Sequence, residues 1–174
     1  ECSSAASDVY KRQILSKLPL EFSPGDKWNY SVSTDVLGYL VEVLSGMELE
    51  DYFKKYIFTP LEMNDTSFSC PQNKLDRLCS LYEHDPVGIP KLLEIPFLNT
   101  RMASGGGGLF STMHDYHNFC HMLLHDGEFE GKRIIGRKTL ELMTTNHLPD
   151  NQDLTEMSES AFSETPYAGV GLSL

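Results

Sequence analysis

A tyrosine in a loop that runs straight into an amphipathic helix is well placed to give up its proton. The stretch Pro24-Gly25-Asp26-Lys27-Trp28-Asn29-Tyr30-Ser31-Val32-Ser33-Thr34-Asp35 puts Tyr30 in that position. A free tyrosine titrates near ~10, and the partial positive charge of a helix N-terminus, or a neighbouring cation, stabilises the phenolate. Tyr30 is therefore a candidate base. Weighed against it is the commoner fate of a loop tyrosine, packing beside another aromatic, here Trp28.

Other groups of residues compete for chemistry. Ser104-Gly105-Gly106-Gly107-Gly108-Leu109 offers bare backbone N–H groups of the kind that bind anions. It lacks the Gly-Lys-Ser/Thr ending of a phosphate loop and follows no strand, so it reads as a turn leading into a helix. His117 and His121 have the i, i+4 spacing of a helical metal pair, with His114 and His125 nearby. At about 100° per residue all four share one stripe, opposite Tyr116, Phe119, Cys120 and Leu123. No carboxylate joins the stripe, which reads as a solvated face holding no functional metal. Glu48, Glu50 and Asp51 gather at a helix start, where they offset the macrodipole without any catalytic role.

The elements that position these residues follow from periodicity and punctuation. Val36, Leu37, Leu40, Val41 and Leu44 repeat at helical spacing, with Ser33 or Thr34 as cap and Gly46 as stop, which predicts a helix over 33–45. A second helix is predicted over 49–58, ended by Pro60. A third spans about 112–125, opened by the capping box Thr112-x-x-Asp115 and closed by Gly127, and a shorter fourth covers 137–145. Phe68 and 78–82 read as short strands. Residues 84–101 read as a long irregular connection of the kind that frames a pocket, 146–166 as loop, and 167–174 as the opening of a strand.

With Tyr30-Ser31-Val32 in place, the words Thr34-Asp35-Val36-Leu37-Gly38, Glu42-Val43-Leu44-Ser45-Gly46 and Ile57-Phe58-Thr59-Pro60-Leu61-Glu62-Met63-Asn64-Asp65-Thr66-Ser67-Phe68 follow in order. This text resembles the β-lactamase-related serine hydrolases: class C β-lactamases, penicillin-binding DD-peptidases and esterases of the same fold. The resemblance covers about residues 14–145. It implies an α+β fold in which a helical region packs on a mixed region with an antiparallel sheet, this chain supplying mainly the helical part. It also implies acyl transfer through a covalent serine ester, with no metal or cofactor required. In the family the nucleophile is the serine of an S-x-x-K motif, and a Tyr-x-Asn or Tyr-Ser-x motif supplies the proton-transfer tyrosine, a role that falls to Tyr30.

The glycine run resembles the family's Gly-Gly-x-x-Ser-Thr-x-x-Asp segment, whose turn borders the substrate cleft, which makes Ser104 and Gly105 pocket lining. Nothing ahead of Tyr30 spells S-x-x-K, since Ser3, Ser4 and Ser7 have no lysine three places on and Ser16-Lys17 is wrongly spaced. The third family motif, Lys/His/Trp-x-Gly, is expected beyond Leu174. The chain therefore reads as the middle of an enzyme. Val32 stands where lactam-binding relatives have asparagine, which turns the expected substrate toward a small-molecule ester. Glu62 stands where the Pro-Leu-Gly-Met word has glycine, a change expected to alter only a turn. The other class left open is a non-catalytic relative that keeps the fold as a binding or scaffolding module.

Composition bounds these readings. With 174 residues, 40% of them hydrophobic, the chain can bury a core, and one domain is expected. A formal net charge of -11 argues against nucleic acid or an anionic membrane as partner. No run of about 18 apolar residues and no signal-like segment is present. Ser3-Ser4-Ala5-Ala6-Ser7-Asp8-Val9-Tyr10-Lys11-Arg12-Gln13 resembles translated sequencing-adapter read-through, so residues 1–13 are set apart as a non-native leader from a partial hydrolase domain at 14–174. The leader holds Cys2, and Cys70, Cys79 and Cys120 show no C-x-x-C spacing, which predicts reduced, buried cysteines.

Overall fold

The computed structural model describes residues 13–26, 31–83, 88–93 and 103–151. Tyr30 and Trp28, residues 1–12, part of the expected irregular connection and the strand expected at 167–174 lie outside the described residues.

Helix α1 (Ser33–Ser45) has the bounds its periodicity predicts, and Gly46 ends it at φ 68°, giving its N–H to Glu42 O at 2.8 Å. Its start differs from expectation. Val32 occupies the cap position without a side-chain bond, and neither Ser33 nor Thr34 caps. Instead the Ser31 hydroxyl accepts from the Ser33 N–H at 3.1 Å and lies 2.5 Å from Ser33 Oγ. Among the residues of α1 only Gly38 is buried, and Val36, Leu37, Leu40 and Leu44 of the apolar stripe stay exposed.

Helix α2 (Leu49–Phe53) starts on a bond from Leu49 N–H to Glu42 Oε1 of α1, 3.0 Å. The expected α-helix to residue 58 holds only this far, because Lys54–Phe58 widens into a π turn, with Thr59 N–H reaching Lys54 O at 2.9 Å. Pro60 follows directly. In an unbroken α-helix its ring would press on the carbonyl four residues back, and the wider turn relieves that contact. The end is a Schellman motif, in which Met63 N–H bonds Phe58 O at 2.8 Å and Glu62 N–H bonds Thr59 O at 3.2 Å. Glu62, at φ 56°, occupies its left-handed position.

Helix α3 (Met113–Leu124) opens as the capping box predicts: the Thr112 hydroxyl accepts from Asp115 N–H at 3.2 Å. Beyond its end Gly127 sits at φ 87°, where a Cβ would fall 2.3 Å from Ile135 O. Strands β3 (Glu128–Phe129) and β4 (Lys132–Arg133) then form a hairpin that periodicity did not foretell. Its two-residue turn, Glu130-Gly131, has both φ angles positive, as a type I′ turn demands. Helix α4 (Arg137–Met143) ends two residues short of expectation.

The core lies where the π turn and its Schellman end meet α3 and the hairpin. Phe58, Leu61, Met63, Met122 and Phe129 are its buried members, with Phe53, Ile57, Phe119 and Ile135 packed around them. Strands β1 (Leu81–Glu83) and β2 (Lys91–Leu93) pair antiparallel on the surface; β1 overlaps the end of the short strand expected over 78–82, and β2 lies inside the stretch expected to be irregular. Near Phe68, in place of a strand, the structure has an isolated bridge between Ser67 and Phe110. The cysteines are free, but Cys79 and Cys120 are exposed and Cys70 is half-buried, so the expectation of burial fails. Among the described residues no helix is long and apolar enough to cross a membrane.

Candidate active site

The segment that follows Tyr30 and the glycine run, about 70 positions apart in sequence, meet in space. The Asp35 carboxylate, on the first turn of α1, takes a short hydrogen bond from the Ser104 hydroxyl. The same oxygen accepts from Gly106 N–H at 3.3 Å, and Ser104 Oγ accepts from that N–H at 3.1 Å. Ser104 also pairs with Gly107 across a tight turn. The expected pocket-lining residues Ser104 and Gly105 thus lie on α1 directly after the expected base.

Glycine is required here for close approach. A Cβ on Gly105 would fall 2.1 Å from the Thr34 carbonyl oxygen and 3.0 Å from the Gly38 backbone, and a Cβ on Gly106 would fall 2.7 Å from Asp35 Oδ2. Gly38 meets the same surface from the other side, with Gly105 Cα 3.0 Å from its own would-be Cβ. Two backbones therefore touch without intervening side chains. The phosphate-loop reading finds no support in this geometry: the Gly106 N–H is already engaged by Asp35.

A second knot holds the far end of the run. Asp115, 3% exposed, accepts from Asp65 N–H at 2.7 Å and from the Thr66 hydroxyl at 2.8 Å. Thr66 Oγ1 lies 2.8 Å from Ser111 Oγ, and Ser67 and Phe110 exchange backbone hydrogen bonds of 3.1 and 2.9 Å. Asn118 adds a bond from Nδ2 to Leu61 O at 3.0 Å. The words Met63-Asn64-Asp65-Thr66 and Ser111-Thr112…Asp115, read separately in sequence, are one hydrogen-bonded unit. Its outer side is charged: Lys74 and then Arg77, the latter at 2.9 Å, hold the Asp65 carboxyl below its usual value.

Asp35 and the tertiary role of Asp115 were missed. Asp115 announced itself only as a cap, and no local signal marks Asp35 as a partner of Ser104. Glu50 and Asp51 do lie in the first turn of α2, as expected.

The histidine stripe needs a correction. His114, His117 and His125 are exposed, but His121 is half-buried, edge-on to Phe129 at 5.9 Å and stacked on His125 at 3.9 Å. The face opposite is not simply core either: Tyr116 and Cys120 are exposed, while Asp115, Asn118 and Met122 are buried. Helix α3 packs on the turn 61–66 along this polar edge and on the hairpin beside His121, which rotates the buried arc away from the apolar count. Among the described residues no group of three or more His, Cys, Asp or Glu could hold a metal. A cleft of about 630 Å3 opens beside His121 and His125, bounded by Asp126, Glu128, Arg133 and Arg137. Arg133 pairs with Glu128 at 2.9 Å and Arg137 approaches Asp126 at 3.8 Å. This cleft contains no nucleophile beside a base, and no reaction is assigned to it.

Residues 4–172 match the family described as Beta-lactamase. Protein Rv1367c of Mycobacterium tuberculosis (strain ATCC 25618 / H37Rv) is 33% identical over 171 residues, covering 92% of this chain and 40% of that protein. Among solved structures, unliganded simvastatin synthase (LovD) from Aspergillus terreus is 26% identical, with TM-score 0.64 over 83% of this chain and 35% of that one. EstCE1, a hydrolase with promiscuous acyltransferase activity, shares the fold at TM-score 0.67 and 24% identity, over 78% of this chain and 39% of its own. The chain thus spans about two fifths of the length of the curated relative. It belongs to the Beta-lactamase family and carries the α+β fold of β-lactamases, penicillin-binding proteins and their esterase relatives.

Proposed function

We propose that the whole protein is a serine hydrolase that acts on small-molecule esters by acyl transfer, with Tyr30 as its proton-transfer partner and the Ser104–Gly105 turn lining the substrate cleft. The family's members are serine hydrolases, and the observation that carries the reading is the join between α1 and the glycine turn. It brings the residues immediately after Tyr30 against the expected pocket wall through Asp35, Ser104 and Gly106. The reaction has two halves. A serine Oγ from the family's S-x-x-K motif, supplied by the whole protein, attacks the ester carbonyl carbon. Tyr30 takes the serine proton and delivers it to the departing alcohol oxygen. Water then attacks the seryl ester, Tyr30 accepts its proton, and the acid leaves as the proton returns to serine.

Val32 supports ester over lactam. In lactam-binding relatives the asparagine at this place bonds the substrate's acylamino group, and valine has neither donor nor acceptor. An amide buried beside it unpaired costs about 1–3 kcal/mol, a loss of roughly 5- to 150-fold in discrimination. An ester without that amide loses nothing. Steady-state kinetics on the full-length protein test both parts. Short-chain chromogenic esters are turned over in preference to a chromogenic cephalosporin, and Tyr30→Phe lowers ester kcat about 100-fold or more. Efficient cephalosporin turnover overturns the ester assignment, an unimpaired Phe variant removes Tyr30, and a full-length protein inert to both substrates favours a binding or scaffolding module.

A further inference from the structure

We propose that Asp35 is a positioning residue for the substrate cleft: its carboxylate fixes the Ser104–Gly107 turn to the first turn of α1, so that substrate affinity depends on a residue that does not itself touch substrate. The proposal rests on the hydrolase reading above, in which Ser104 and Gly105 line the pocket.

Three observations converge on the one carboxylate. The Ser104 hydroxyl donates to Asp35 Oδ1, and Gly106 N–H donates to the same oxygen at 3.3 Å while also reaching Ser104 Oγ at 3.1 Å. Around this triangle the backbones are jammed: Gly105 has no room for a Cβ against Thr34 O, nor Gly106 against Asp35 Oδ2. The turn's remaining backbone bond, Gly107 N–H to Ser104 O, is long at 3.4 Å and spans only the turn itself. A four-glycine run pays the largest entropy for a fixed shape. Packing sets how close this run comes to α1, and the Asp35 bonds set which way Ser104 and Gly106 face. Asp35 itself is anchored by the helix, where its N–H bonds Val32 O at 3.1 Å, two residues past Tyr30 in sequence. Any shift of α1 therefore carries the turn with it.

A carboxylate in this place differs from a generic structural contact because asparagine reproduces its geometry. An Asn Oδ1 accepts from both donors, whereas alanine accepts from neither. In the full-length protein, Asp35→Ala is expected to raise KM for a short-chain ester about tenfold, the lower end of what losing a hydrogen bond to a charged group costs. The same variant keeps kcat within about threefold, because the interaction acts on binding and not on the chemical step. Asp35→Asn is expected to recover most of the lost affinity. In the present chain, the Gly106 amide resonance is expected to move in Asp35→Ala and to stay near its wild-type position in Asp35→Asn.

An unchanged KM in Asp35→Ala overturns the proposal. So does a loss shared equally by kcat and thermal stability that asparagine does not rescue, since that is the mark of a fold contact alone. An unmoved Gly106 amide in Asp35→Ala shows that the carboxylate does not hold the turn, whatever the kinetics. If wild-type full-length protein turns over no ester while the Gly106 amide still reports on Asp35, the hydrolase reading has failed and the catalytic meaning of the clamp goes with it.

Discussion

Replacing Glu62 by glycine is expected to make the protein more stable. Glu62 holds φ at 56° at the left-handed position of the Schellman end that closes the π turn. An L residue with a Cβ pays about 1–2 kcal/mol for that conformation. Glycine pays none of it but gives up more chain entropy on folding, about 0.5–1 kcal/mol. The net gain is about 1 kcal/mol, with little lost elsewhere because the Glu62 side chain is exposed. The motif's partners are untouched: Met63 and Phe58, each 6% exposed, stay packed in the core, and the bonds Met63 N–H to Phe58 O and Glu62 N–H to Thr59 O are backbone bonds. For a chain of this size 1 kcal/mol raises Tm by about 2–4 °C. Urea unfolding followed by circular dichroism gives the free energy, and scanning calorimetry gives Tm. Glu62→Ala is the control, since alanine pays the same conformational cost and gains nothing. A glycine variant no more stable than the alanine variant would refute the left-handed assignment, and with it the account of how the segment turns into the core.

Neighbouring glycines should part company: Gly105→Ala, with its Cβ 2.1 Å from Thr34 O, is expected to cost about 3 kcal/mol, the upper end for an overpacked core site. Gly107→Ala, with open space around its Cβ, is expected to cost nothing or to stabilise by about 0.4–1 kcal/mol; chemical denaturation of both variants reads the difference. His117→Gln is expected to change stability by no more than about 0.5 kcal/mol, whereas His121→Ala, which strips the ring from Phe129 and His125, is expected to cost about 1–2 kcal/mol. Equal effects at the two sites would mean that His121 is as solvated as its neighbours. Lys74 and Arg77 lower the pKa of Asp65 from 3.8, so its stabilising contribution is complete above that value and disappears as pH falls through the lower folded-state pKa. Asp65→Asn should flatten the acid limb of stability against pH, and an unchanged limb would place the acid sensitivity elsewhere.

What the sequence disclosed and what it hid divide along physical lines. Helices α1 and α3 were legible because each carries its own punctuation: Gly46 stops one, and Thr112, Asp115 and Gly127 frame the other, all acting within a few residues. The π turn was not legible, because local periodicity cannot separate a helix that widens ahead of Pro60 from one that does not. The β3–β4 hairpin has two residues per strand, too few for alternation to register, and its turn, Glu130-Gly131, lacks the Asn-Gly or Asp-Gly pair that marks a two-residue hairpin. The family text gave the glycine run as an expected border of the cleft. It could not supply the carboxylate that holds the run, since Asp35 and Ser104 are joined only by tertiary packing of α1. His121 misled for a similar reason: a helical wheel counts apolar residues, but the hairpin that buries this imidazole is a neighbour in space. The stripe of α1 shows the converse, apolar residues at helical spacing that stay exposed.

The most direct test is covalent labelling of the full-length protein that contains this chain. Incubated with a serine-directed fluorophosphonate, it should gain one adduct by intact-mass spectrometry and lose ester turnover in step. Tyr30→Phe should react at least about 100-fold more slowly, since the serine then lacks its proton acceptor. A protein that takes no adduct and hydrolyses no ester, or a Phe variant labelled as fast as wild type, would contradict acyl transfer through a serine served by Tyr30.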